Sequence, residues 1–257
     1  MIPIHELATY TDELLDTAGT PDYPAALNGL QLENSAPIKG IAAAVDFSTR
    51  AIRGAIEASA NLLIVHHGMF WNGFGQISGP SYRRLRLLIE NDVAVYSSHL
   101  PLDRHLTLGN NVLLAKELGL VPAGDFAEYN GIFIGLRGES DIETTRLAEK
   151  AREFASKYSG DVRLTEIAEG RRTRRWAMCT GAGASSETLR EAARKQIDTL
   201  IVGEGPHHTA VQAEENNIAI IYAGHYATET LGVRALARHL SEKYSIPSTF
   251  VNAPTGL

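Results

Sequence analysis

The run Leu62-Leu63-Ile64-Val65 leads straight into His66-His67-Gly68. A short apolar run without polar alternation reads as a strand covered on both faces, the kind that sits inside an α/β sheet. Two imidazoles at its end are costly to bury without partners. The doublet therefore constrains the fold and marks a candidate site, because open α/β sheets gather their sites beyond the carboxyl ends of the strands.

The flanking sequence supports that architecture. An acidic helix is predicted over 4–18, followed by the turn-rich "GTPDYPAALNG". "IKGIAAAVDF" reads as a strand and "STRAIRGAIEASA" as a helix capped by Ser48 or Thr49. "SYRRLRLLIEND" is a further helix and "VAVYSS" a further strand. Between 130 and 168, "GIFIGLRG" reads as a strand and "DIETTRLAEKAREFASKY" as an amphipathic helix. Strands alternating with helices predict an α/β fold with substantially parallel sheet.

The late half repeats the early plan. "RRWAMCTGAGASSETLREAARKQIDTLIVGEGPHH" parallels "IKGIAAAVDFSTRAIRGAIEASANLLIVHHG", and "IAIIYAGHYATE" parallels "VAVYSSHLPLD". His99 then aligns with His225, and Asp103 with Glu229. The expected architecture is two similar α/β lobes, about 1–125 and 126–257, within one domain. Their sheets are mixed and largely parallel, with a metal site between the lobes at strand C-terminal ends.

Seven of the nine histidines follow apolar runs: His66, His67, His99, His105, His207, His208 and His225. His5 and His239 fall in helical patterns and read as incidental. Adjacent residues of a regular strand point to opposite faces. His66 and His67 thus share one ion only if the turn at Gly68 relaxes the alternation; otherwise they serve two. His225 and Glu229 stand one turn apart on one face of a helix starting near His225. Singly, each has a plainer explanation: a surface helix pair for His225 and Glu229, a turn residue for Asp103, a helix cap for His207 and His208. Their convergence on strand ends favours metal binding. Imidazole suits Zn, Fe, Ni and similar ions, and carboxylates add hardness and can bridge two cations.

Composition narrows the rest. A net charge of -6 argues against nucleic acid as the main partner. The basic run Arg171-Arg172-Thr173-Arg174-Arg175 reads as a solvated loop before a strand, with a phosphate patch as the lesser alternative. The N-terminal stretch is not a signal peptide, and no run approaches the ~20 apolar residues of a membrane helix. With the single Cys179, this predicts a soluble, cytoplasmic protein. Cys179 itself reads as a buried small hydrophobe. "TGAGAS" lacks the third glycine of a dinucleotide motif and reads as a tight strand-to-helix turn.

The motifs "NGLQLEN", "LLIVHHGMFWNG", "VYSSHLPLDRH", "TLIVGEGPHH" and "IIYAGHYATETLG" appear in this order along nearly the whole chain. Together they resemble the Nif-three-like dinuclear-metal family, often labelled GTP cyclohydrolase 1 type 2 homologs, in its compact form without a large central insertion. The resemblance implies two divalent ions per chain (Zn, Fe, Mn, Ni or Co) and a toroidal homohexamer built as a trimer of dimers. It implies ligands at His66, His67, Asp103, His225 and Glu229. His99, Glu204, His207 and His208 would line the pocket or orient ligands, with His99 or Glu204 able to shuttle protons.

The function expected is a dinuclear-metal-dependent hydrolase acting on a nucleotide-like or phosphorylated small molecule, of GTP cyclohydrolase type by the family label. The alternatives are a non-catalytic metal-binding ring, as metallochaperone or regulatory partner, and a metal-dependent nucleotidyltransferase.

Overall fold

The computed structural model describes residues 2–71, 73 and 75–256. The chain divides into two compact units, Met1–Leu102 with Gly232–Ala253, and Asp103–Leu231 with Pro254–Leu257. A C-terminal segment thus belongs to the first unit.

The first unit contains α1 (Ile4–Leu15), β1 (Gly29–Leu32), β2 (Ile41–Asp46), α2 (Thr49–Glu57), β3 (Leu62–His67), α3 (Gly79–Glu90) and β4 (Ala94–Ser97). The short α4 (Leu100–Asp103) spans the boundary, its last residue belonging to the second unit. The second holds α5 (Asn110–Leu118), β5 (Pro122–Tyr129), β6 (Ile132–Glu143), α6 (Thr144–Ser156), β7 (Arg163–Leu164) and β8 (Arg172–Cys179). It continues through α7 (Ser186–Arg194), β9 (Thr199–Val202), α8 (His207–Glu215) and β10 (Ala219–Tyr222). Helix α9 (His225–Tyr244) starts in the second unit and runs into residues of the first, which β11 (Ser248–Phe250) completes.

In the first unit the strand order is β1-β4-β3-β2-β11. β11, β2, β3 and β4 pair in parallel, and only β1 is antiparallel. Every residue of β3 is buried, as its unbroken apolar run requires. Leu63 and Val65 pack with Ala51, Ile52 and Ala55 of α2 and with Val95 of β4. Burying such aliphatic side chains stabilises the fold by about 1.5–3 kcal/mol each. Ser48 caps α2 by accepting from the Ala51 N–H.

The second unit's sheet runs β5-β6-β8-β9-β10-β7. β8, β9 and β10 are parallel; the remaining pairings are antiparallel. Ser185 and Thr188 form a reciprocal cap on α7. Both sheets are therefore mixed, each around a parallel β-α-β-α-β core: β2-α2-β3-α3-β4 and β8-α7-β9-α8-β10.

The basic run differs from expectation. Arg172 opens β8, which pairs with β6 on one side and β9 on the other. Thr173 points inward, and its hydroxyl meets those of Thr144 and Thr199. The arginines stay outside, Arg172 against Asp141, Arg171 on Asn217 and Arg175 on Gln196. Alternating burial makes the segment a strand where charge alone suggested a loop. β1, β5, β7 and β11 are likewise additional to the strands read from the sequence.

Candidate metal centre

In the first unit the donors lie where β2, β3 and β4 end. His66 and His67 close β3, and His99 follows β4. All three are buried, at 0%, 8% and 7% exposure. Ring centroids are 4.9 Å apart for His66–His67, 4.8 Å for His66–His99 and 5.7 Å for His67–His99. One ring nitrogen from each lies within 4.8 Å of the others. The doublet thus converges despite strand alternation. Gly68 follows directly, where a side chain would run into Gln31 and approach Ser97 Oγ to 2.6 Å.

Each imidazole is held from behind through Nδ1. His66 Nδ1 stands 2.8 Å from the Ser98 carbonyl, His67 Nδ1 is 2.9 Å from Asp46 Oδ1, and His99 Nδ1 is 2.9 Å from Asp22 Oδ1. Asp46 is the cross-strand partner of His67 in the β2–β3 ladder. An oxygen acceptor on Nδ1 fixes the tautomer and leaves Nε2 as the ligand atom, the usual support for a metal-binding histidine.

Asp22 belongs to the turn-rich stretch after α1. Burial works against its ionised form, but hydrogen bonds from His99, Asn28 and the Leu100 N–H prevail and hold its carboxyl below the usual range. Asn28 donates to Asp22 Oδ2 and accepts from the His99 N–H. Gln31 Oε1 accepts from the Met69 N–H, just past the doublet. The "NGLQLEN" segment therefore positions the histidine turns. Trp71 lies against His67 and His99, with centroids 4.5 and 4.6 Å away.

The second unit builds a more acidic group around the turn after β8. His225 and Glu229 open α9, with Nε2 and Oε2 3.1 Å apart, one helical turn as the spacing predicted. Glu204, just past β9, accepts at His225 Nδ1 over 2.8 Å. Burial opposes a charge on His225, but Glu229 and then Glu204 outweigh it and raise its pKa to about 9.

Gly181 stands against this pair at φ +63; a Cβ there would run into Glu229 Oε1 and lie 3.4 Å from His225 Nε2. Its N–H donates to Thr228 Oγ1. Asp103, 7% exposed, accepts from Asn110 Nδ2 at 2.7 Å and from Thr180 Oγ1 at 3.4 Å. Burial and then the carboxylates of Asp103, Glu229 and Glu191 push the Cys179 thiol far up, so it is an inert core residue.

Other candidates stand apart from these groups. His207 and His208 are exposed in the first turn of α8. His105 is exposed, and its Nδ1 accepts from the Leu108 N–H. His5 bonds Glu33, and His239 bonds Tyr10. Sequence reasoning missed Asp22, Asp46, Gly181 and Trp71. Asp46 ends a strand next to the doublet and Gly181 sits in a quoted turn, so position offered a signal for both. Nothing local marked Asp22.

Three imidazoles suit borderline divalent ions, and an imidazole among carboxylates suits the same ions and harder ones. The donor chemistry of both groups fits metal, and the closed space at Gly181 keeps the Glu229 carboxylate clear of a side chain. The family model described as Duf34/NIF3 (NGG1p interacting factor 3) matches residues 2–255.

The chain belongs to the DUF34/NIF3 family.

Among its relatives, a Pyrococcus abyssi protein is 40% identical over 253 residues, covering 98% of each chain. One from Deinococcus radiodurans is 37% identical over 98% of this chain and 94% of its own. Both carry the name GTP cyclohydrolase 1 type 2 homolog. The solved structure of protein ybgI matches with a TM-score of 0.89 and 32% identity over the whole of both chains. A NIF3 fold thus accounts for both mixed sheets. Among the described residues no helix is long and apolar enough to cross a membrane.

Proposed function

We propose that this NIF3-family chain is a divalent-metal-dependent hydrolase acting on a nucleotide-like or other phosphorylated small molecule. The observation that carries the reading is the set of four imidazoles, His66, His67, His99 and His225, each with Nδ1 against an oxygen acceptor. Such support orients each ring and leaves Nε2 as the ligand atom, and three of the rings offer nitrogens within 4.8 Å of one another.

Two cations per chain, Zn, Fe, Mn, Ni or Co, would be held by His66, His67, Asp103, His225 and Glu229. When bound, they would supply Lewis-acid polarisation of a substrate oxygen and acidify an attacking water. His99, grouped with His66 and His67, serves as a further ligand or as a proton carrier held by Asp22. Glu204 is a positioning residue acting through His225. His207 and His208, exposed at the start of α8, suit contact with an anionic substrate better than ligand support. The relatives' name supports GTP ring opening as the first reaction to try; the homohexamer that the family resemblance implies is the assembly we propose.

The description "interacting factor" favours a second reading, a metal-holding ring that binds partners without turnover. Elemental analysis of untagged protein decides between them when paired with formate and phosphate release across a nucleotide panel, metal-loaded and chelated. Light scattering reads the assembly in the same samples. About two metals per chain with chelator-sensitive release supports the hydrolase. Metal without release moves the assignment to partner binding. No bound metal overturns both.

A further inference from the structure

The first unit contains a cavity of about 440 Å³ that uses none of the histidines. Gln31 and Leu32 of β1, Phe47 after β2, Met69 after β3, and Arg84 and Leu85 of α3 line it. That volume suits a small-molecule ligand. Its walls are mostly apolar, and its polar groups are unequal. The Gln31 amide is committed, donating to the Ala26 and Leu27 carbonyls and accepting from the Met69 N–H.

Arg84 is different. Its guanidinium lies over the Phe47 ring at 5.4 Å. Its Nε is buried and has no hydrogen-bond partner among the described residues. The Arg84 side chain is half-buried, and a buried Nε–H without an acceptor is costly; an oxyanion arriving in the cavity would remove that cost.

We infer that this cavity binds an apolar-bodied carboxylate, its oxygen accepting from Arg84 and its hydrocarbon body against Leu32, Met69 and Leu85. Arg84 is the one cationic side chain among the described lining residues, so its single charge matches a monoanionic carboxylate and would leave a dianionic phosphate half-neutralised against apolar walls. The site is separate from the metal groups and holds its ligand whether or not metal is present.

The test is titration calorimetry of the chelated full-length protein with 2-naphthoate, 2-naphthamide and 2-naphthyl phosphate, repeated on Arg84→Met and Leu85→Trp. The Met variant keeps an apolar stem but removes the donor; the Trp variant fills the space. Saturable binding of 2-naphthoate is expected, with the amide and the phosphate each weaker. Arg84→Met should weaken naphthoate binding by about ten- to a hundredfold, the range for a hydrogen bond to a charged group. Leu85→Trp should abolish it. Thermal melting reports whether each variant is folded, and if Arg84→Met is not, Leu85→Trp decides. No binding of 2-naphthoate, equal binding of the amide, tighter binding of the phosphate, or full affinity in a folded variant overturns the proposal.

Discussion

The two units answer the same topological problem with different chemistry. Each places donors beyond three parallel strands. The first gathers three imidazoles, with the pairing side chains of His99 and Asp22 only 9% and 6% exposed. The second gathers one imidazole among carboxylates, and the anchoring Glu204 side chain is 42% exposed. The first group is therefore more closed and rich in nitrogen donors. The second is charge-rich, and a protonated His225 neutralises part of it in the absence of metal. A buried imidazole group selects ions by geometry and softness; an acidic one attracts them by charge.

The largest expected effect lies in the acidic group. Glu229→Gln should cut metal content sharply without unfolding the chain, because an amide binds divalent cations poorly while the helix face keeps its shape. If the groups hold ions separately, His66→Ala/His99→Ala should cost about one equivalent of its own. Elemental analysis of both variants checks this, and unchanged stoichiometry in either removes that group from the metal assignment.

Next comes Gly181→Ala. The left-handed backbone alone costs about 1–2 kcal/mol with a side chain, and the new methyl also displaces the Glu229 carboxylate. A lower melting midpoint together with lost metal is expected. A stable variant with full metal content would show that the close approach has no role in holding ligands.

The supporting carboxylates should differ in rank. Asp22→Asn should weaken metal binding by about 10–100-fold, the usual range for loss of such a partner. Glu204→Gln should cost less, because water can replace a half-exposed partner. Competition with a chelating dye measures both, and the reverse order would contradict the contrast between a buried and an open anchor.

The effect confined to the metal-free protein is a pH dependence. His225 has its pKa raised from 6.5 to about 9 in the fold. Folding therefore tightens proton binding, and the resulting stabilisation is fully present below pH 6.5 and lost as pH rises through 9. The melting midpoint of chelated protein should fall over that window, and Glu204→Gln should flatten the fall. An unchanged profile in the variant would remove Glu204 as a cause.

Much of this was legible in the chain, because it depends on local periodicity. The apolar run of β3 specified a doubly covered strand and delivered His66 and His67 to its end. The spacing of His225 and Glu229 on a helix is a property of helical geometry, as is the Ser48 cap. The repeated strand-turn-helix pattern gave the two α/β units. The return of Gly232–Ala253 to the first unit depends on which surfaces pack, which no local pattern encodes. The basic run misled because charge outweighed the single inward Thr173 in the reading.

What the sequence determined by itself is the alternation of elements and the residue types at each strand end, which neighbouring residues dictate. The tertiary structure alone decided which oxygen faces which nitrogen. Asp22 is 77 residues from His99, and Asp46 meets His67 only through the β2–β3 register. Gly181 is required by a helix more than forty residues later. Such pairings arise when the sheet closes and fixes long-range distances, and no short stretch of chain encodes them.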